Sequence, residues 1–337
     1  MVHLQTKPRF AIIAFDVFIC NFILNALASF VTLSLIFTMR KAGHLKLNLY
    51  TKCVTLMSFN QLVYEIFDVL YISEAKHVTW DESKQLGNSS TVRVLGTGGA
   101  LWGGIGASTW AFMLLLGALF TVHSGRQPSH KEQIVVGVLI NVLLIGFSIY
   151  GMIVTHVAWH EGTYSDFRHI WIYYRIIRIV LIVLSSVCLL YLYQVMLQTS
   201  IKGERFRSPL FHLLKKIAPY VIILMVVRFG GSSYQWIYGE TVYRIPANAD
   251  GWQIFWMYVY VLLLPAASIG LMISFLKVTA GAKRSLIQML HLECIFTLPP
   301  APVIWADREE AKRTIGEFRL DGESTMRPTM AQEAHDR

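Results

Sequence analysis

The chain has 337 residues, 54% of them hydrophobic and only 15% charged, with a formal net charge of +9. Soluble domains carry about 25% charged residues, so this chain has too few to dress a water-facing surface of its size, which places it among integral membrane proteins. The basic surplus then points to anionic lipid headgroups and a cytosolic partner rather than to nucleic acid.

A helix needs roughly 20 apolar residues to cross about 30 Å of hydrocarbon. Stretches of that kind lie near 11–39, 48–73, 96–122, 133–157, 170–196, 211–237 and 252–277. They predict an all-α integral membrane fold, a seven-transmembrane helix bundle over 1–279. The first stretch is too long for a cleavable signal and reads as a signal anchor. No internal repeat is visible, which argues against transporter folds built from duplicated halves.

Orientation follows from lysine and arginine in the short loops. With the N-terminus outside, the inner side holds Arg40, Lys41, Lys46, Lys52, Arg126, Lys131, Lys202, Arg205, Arg207, Lys215, Lys216, Lys277, Lys283 and Arg284. The outer side holds half as many: Lys7, Arg9, Lys76, Lys84, Arg93, Arg168 and Arg244. The C-terminus is therefore expected inside. The sequon Asn88-Ser89-Ser90 falls in the loop 74–95, outside, where Asn88 is a candidate glycosylation site. Cys20, Cys53 and Cys188 lie within apolar stretches and Cys294 in the tail, so no structural disulfide is expected.

The second stretch carries Asn60, Gln61, Glu65 and Asp68. The fifth, IWIYYRIIRIVLIVLSSVCLLYLY, carries Arg175 and Arg178 at i, i+3, on one helix face. The sixth carries Arg228; there Pro219 breaks the backbone pattern near the inner third and Gly230-Gly231 adds a second weak point, and in the seventh Pro265 does the same as Pro219. At 1.5 Å per residue, Arg175 and Arg178 fall roughly 6 and 10 Å below the outer helix ends, Asp68 and Glu65 roughly 8 and 12 Å, and Arg228 about 15 Å. Ionisable groups facing lipid are costly, so these five should turn inward to meet one another or water.

One outcome is a structural ion-pair cluster, with Arg175 free to snorkel toward headgroups. The other is a polar cavity open to the outside, lined by Glu65, Asp68, Tyr174, Arg175, Arg178, Arg228, Tyr234 and Trp256. Forked guanidinium donors beside aromatic faces suit a small anionic or ring-bearing ligand. No residues point to a catalytic centre, a metal or a cofactor.

After the seventh stretch, AGAKRSLIQMLHLECIF (280–296) places Leu286, Ile287, Leu290 and Cys294 on one face at helical spacing. It reads as an amphipathic juxtamembrane helix on the inner leaflet, with Cys294 a candidate palmitoylation site. Residues 297–337 have a composition that cannot bury a core and read as a disordered cytoplasmic tail.

Several stretches carry a family resemblance. STWAFMLLLGALFTVH, with Trp110, resembles helix 3 of the cyclic-AMP-receptor-like and secretin/adhesion-like seven-transmembrane receptors. KKIAPYVIILMVV, with Pro219, resembles their helix 6, and LLLPAASIGLMISF, with Pro265 and Phe275, their helix 7. Together with the architecture over about 10–296, this resembles the G protein-coupled receptor superfamily, distantly. Departures exist: LFTVHSGRQ replaces the acidic-arginine-aromatic triplet of rhodopsin-like members, and Ser268 and Leu271 stand where glycine and asparagine would be expected. The resemblance implies a multi-pass plasma-membrane receptor that senses an extracellular small molecule and signals to a heterotrimeric G protein. By position, Arg126, Arg205, Arg207, Lys215 and Lys216 would meet that G protein.

Rival classes leave different marks. A retinal protein needs a lysine within the seventh helix, and 252–276 has none. A membrane zinc hydrolase needs histidines deep in helices, whereas His123, His130, His156, His160, His169 and His212 all lie at helix ends or in loops. A transporter or channel using the same charged layer as its translocation site stays open.

Overall fold

The computed structural model describes residues 8–46, 48–77, 91–161, 164–199, 209–238, 251–263 and 266–291. Among them the chain is helical without strands: α1 (Pro8–Lys41), α2 (Leu49–His77), α3 (Thr91–Ser124), α4 (His130–Glu161), α5 (Tyr164–Thr199), α6 (Pro209–Tyr238), α7 (Gly251–Leu263), α8 (Ala267–Val278) and α9 (Ala282–Met289). Helices thus form over all seven apolar stretches. Over the seventh, the described residues form two helices, α7 ending at Leu263 and α8 starting at Ala267 after a turn at Ala266.

Within α1 to α5, the segments Ile19–Lys41, Leu49–Leu70, Val94–Ser124, His130–Val157 and His169–Gln198 are each long and apolar enough to cross a bilayer. The faces of α4 and α5 decide that a bilayer is needed. Val135, Leu139, Val142 and Leu143 on α4, with Val183, Val187 and Leu190 on α5, are all exposed. Apolar faces of that extent on helices of spanning length suit hydrocarbon. The protein is a membrane-embedded helical bundle.

Local chemistry sets the helix ends. Asn48 caps α2, its Oδ1 accepting the Thr51 backbone N–H at 2.9 Å. Ser129 and Glu132 form a capping box at α4: the Glu132 N–H donates to Ser129 Oγ (3.3 Å) and the Ser129 N–H to Glu132 Oε2 (2.6 Å). The turns after α1 and α3 pass through Gly43 (φ 74°) and Gly125 (φ 64°), a left-handed conformation that suits glycine. Both turns lie at the end of the bundle that holds Arg40, Lys41, Lys52 and Lys131, here the basic end. Lys52 of α2 donates there to Gln133 of α4 at 2.7 Å.

The α3 helix is central, packed against α2, α4, α5 and α6, and its contact with α2 is the most extensive in the bundle. Glycines make that approach possible. A Cβ at Gly103 would overlap the Asn60 carbonyl and the Tyr64 backbone nitrogen, and one at Gly99 would overlap the Phe67 ring. Small residues let helix backbones close up where lipid supplies no hydrophobic drive for helix association. The buried core runs through Leu35, Met39, Met57, Leu101, Leu115, Tyr220 and Phe275.

Of the segment expected to form the amphipathic helix, α9 covers Ala282–Met289. Leu290 closes it, and His291 adopts φ 52°. Ala282 is fully buried, and Leu286 packs on the core.

Candidate functional site

The α2 helix carries Thr51, Ser58, Gln61, Glu65 and Asp68 at spacings of seven, three, four and three, which puts them on one face. All five are buried. This polar stripe faces the interior of the bundle, as the cost of polar groups in hydrocarbon requires.

Glu65 is the centre of the best-connected polar cluster. Its carboxylate accepts from the Ser268 hydroxyl, from Gln61 Nε2 at 3.2 Å and from Ser29 Oγ at 3.2 Å. Ser29 Oγ also lies 2.8 Å from Ser268 Oγ, so three helices, α1, α2 and α8, meet at one carboxylate. A buried carboxyl without donors would be strongly unfavourable. Here the surrounding hydroxyls and amide supply them.

The interrupted seventh helix is braced from α1. Asn21 Nδ2 donates to the Leu262 carbonyl (3.0 Å), and Asn25 Oδ1 accepts the Ile269 N–H (3.2 Å). Asn25 in turn donates to the Asn21 carbonyl at 2.8 Å. A helix break leaves backbone groups with no partner inside the helix, and α1 provides partners on both sides of it. Asn21, Asn25, Ser29 and Thr32 follow helical spacing, so the signal for this brace was present in the first apolar stretch. Its apolar flanks mask that signal in the linear sequence.

On the other side of α3, Arg178 is buried. Its Nη1 donates to the Tyr174 hydroxyl at 3.2 Å, and its guanidinium carbon sits 5.0 Å from the centre of the Tyr174 ring. Tyr174 is itself buried and meets Trp171 edge-on at 5.5 Å. A Cβ at Gly104 would overlap the Tyr174 hydroxyl, just as one at Gly103 would overlap α2 at Asn60 and Tyr64. Adjacent glycines of α3 therefore set Tyr174 and Tyr64 at a common depth, with Glu65 next to Tyr64. Arg178 starts one turn nearer the basic end and reaches back.

The structure thus buries Glu65, Asp68, Tyr174 and Arg178, and leaves Arg175 half-buried. It distributes them over two sides of the bundle interior: Glu65 toward α1 and α8, Arg178 and Tyr174 toward α3. Trp256 is half-buried in an aromatic group with Trp252 (5.7 Å) and Phe255 (5.9 Å) at the start of α7. Arg228 and Tyr234 belong to α6, but their side chains lie outside the described residues, as do Asn88, Arg205, Arg207 and Cys294. A small cavity of about 10 Å³, room for one water, lies between α3, α5 and α6. Its α5 wall, Leu181, Ile182 and Ser185, begins one turn beyond Arg178.

At the basic end, Lys215 and Lys216 are exposed on α6. Arg126 is engaged within its own loop, with Nη2 2.9 Å from Glu132 Oε1, Nη1 3.1 Å from Oε2, and its guanidinium 4.9 Å from the Phe120 ring centre. The hydrogen bonds to Glu132, reinforced by its charge, push the Arg126 guanidinium further above its ordinary value. His123 stacks on Tyr191 nearby, at 5.7 Å between ring centres.

No protein-family model matches this chain, and no curated protein matches it either.

Proposed function

We propose that the chain is a seven-span receptor of the G protein-coupled type in the plasma membrane, its N-terminus outside and its basic end in the cytosol. It senses a small anionic or ring-bearing extracellular ligand and signals to a heterotrimeric G protein. One observation carries the reading: a guanidinium, Arg178, is held inside a membrane bundle against the Tyr174 ring. This placement is expensive, and function commonly explains it. Glu65 at the interrupted seventh helix supports the same reading, because a ligand that shifts Arg178 has a jointed helix across the bundle through which to act. The ninth helix at the basic end, with Ala282 buried and Leu286 on the core, and the exposed Lys215 and Lys216 suit a cytosolic partner.

The test uses the purified chain in nanodiscs, with small anionic and aromatic compounds screened by thermal stabilisation. A compound that stabilises the chain is expected to accelerate nucleotide exchange on an added G protein. Arg175→Ala and Arg178→Ala, in protein that still folds, are expected to abolish both effects. Normal responses in both variants would overturn the pocket assignment.

A second reading rests on the polar stripe of α2, in which the Ser58 hydroxyl is buried without a hydrogen-bond partner among the described residues. A polar face running from Thr51 to Asp68 also suits a transporter or channel. Ligand-dependent flux into liposomes, with no nucleotide exchange, would decide for that reading.

A further inference from the structure

We propose that the end of α1, the end of α8 and the start of α9 form one binding site for a multiply phosphorylated lipid headgroup of the phosphoinositide class, in the leaflet at the basic end. That this leaflet is the cytosolic one rests on the orientation in the receptor reading; the binding itself does not.

The register of α1 and α8 brings the cations together. Both helices run toward the basic end, and the Ser29–Ser268 contact at 2.8 Å sets their relative level. The same rise along each, about 16 Å, leads from Ser29 to Arg40 and from Ser268 to Thr279, the C-cap of α8. Gly281 then turns the chain in a left-handed conformation (φ 77°), and α9 starts at Ala282, which is fully buried. The α9 helix packs on both α1 and α8. Arg40 and Lys41 in the last turn of α1, Lys277 in the last turn of α8 and Lys283 in the first turn of α9 therefore share one corner of the bundle. All four are exposed.

No nearby carboxylate offsets them. Residues 33–48 and 267–291 contain neither aspartate nor glutamate. Among the described residues of the basic end the one carboxylate is Glu132, on the side of the α3–α4 turn, where Arg126 holds it at 2.9 Å. Like charges gathered on fixed helix ends repel one another, and a bound anion relieves that cost.

The arrangement favours phosphate monoesters over a singly charged headgroup. Buried Ala282 and Leu286, which packs on the core, fix α9, so Lys283 is presented from a set position. Arg40 offers a forked donor and the three lysines compact charges, the two chemistries that hold phosphate. Arg40 and Lys41 stand on α1, Lys277 and Lys283 on α8 and α9. A headgroup with two or more phosphates can engage both sets at once, whereas a single phosphodiester meets only one. Basic clusters next to membrane helices attract such lipids from the leaflet they touch.

The test places the full chain in nanodiscs of neutral lipid and reads thermal unfolding. One set of discs contains phosphatidylinositol bisphosphate, a second phosphatidylserine at the same total charge, and a third neutral lipid with soluble inositol trisphosphate outside. Stabilisation is expected in the first set and is expected to be much weaker in the others. Arg40→Gln with Lys283→Gln should weaken the apparent affinity for the bisphosphate lipid roughly ten- to thirtyfold. Lys131→Gln with Lys216→Gln makes the same charge change at exposed positions of α4 and α6 and should weaken it by less than about threefold. Should the first pair fail to fold, Lys41→Gln with Lys277→Gln is expected to show the same loss. Equal stabilisation by phosphatidylserine, or equal losses in the two kinds of pair, would show a diffuse surface field and overturn the site. Full stabilisation by the soluble trisphosphate would assign the corner to a free phosphate and overturn the lipid. None of these measurements uses an extracellular ligand or a G protein, so failure here is distinct from failure of the receptor reading.

Discussion

Ser29 of α1 and Ser268 of α8 are 239 positions apart in the chain, yet their hydroxyls lie 2.8 Å from each other at the edge of the Glu65 carboxylate. The contact joins the first helix to α8, the helix that follows the turn at Ala266. Through Glu65 it also ties α8 to α2.

Replacing the carboxylate should therefore separate shape from hydrogen bonding. Glu65→Leu leaves the Ser29, Ser268 and Gln61 donors without their acceptor and should lower stability by about 1–3 kcal/mol. Glu65→Gln retains an acceptor and should fall well short of that. Thermal unfolding in nanodiscs reads the difference, and equal melting of the two variants would show that the cluster contributes no more than packing.

The brace between α1 and the broken helix makes a second prediction. Asn25→Leu removes the acceptor of the Ile269 N–H and should speed amide exchange at Ile269 while leaving α3 amides unchanged. Exchange at Ile269 that stays at the parent rate would mean the break is held by other contacts.

Glycine packing predicts a contrast within one bundle. Gly103→Ala forces a Cβ into the Asn60 carbonyl and the Tyr64 nitrogen, backbone atoms that cannot rotate away, and should destabilise by about 1–3 kcal/mol. Gly146→Ala meets nothing within 4 Å and should be neutral or stabilising by up to about 1 kcal/mol, from helix propensity alone. The melting temperature of Gly103→Ala should fall, and that of Gly146→Ala should hold or rise.

If Arg178 and Tyr174 bind ligand, geometry should matter as well as charge. Arg178→Lys keeps the charge and loses the planar fork over the Tyr174 ring, and should weaken ligand-induced stabilisation by tenfold or more. Tyr174→Phe keeps the ring and should weaken it less. Full ligand response in Arg178→Lys would place the binding site elsewhere.

The sequence by itself determined the membrane class, because 15% charged residues cannot cover a soluble protein of 337 residues, and hydrocarbon is the only environment that tolerates the rest. It also determined the helical stretches and the weak point at Pro265, since span length and the missing proline N–H are local properties. It identified Glu65, Asp68, Arg175 and Arg178 as residues that must turn inward, from cost alone. Which partner each would find was decided only in three dimensions. Glu65 met Ser29 and Ser268, residues that a linear reading treats as ordinary parts of apolar helices, because α1 and α8 happen to flank that face of α2. Tyr50 of α2 and Tyr220 of α6, whose hydroxyls lie 2.8 Å apart, were hidden for the same reason. A hydroxyl in a membrane helix carries no sign of its partner until packing brings distant helices to one depth.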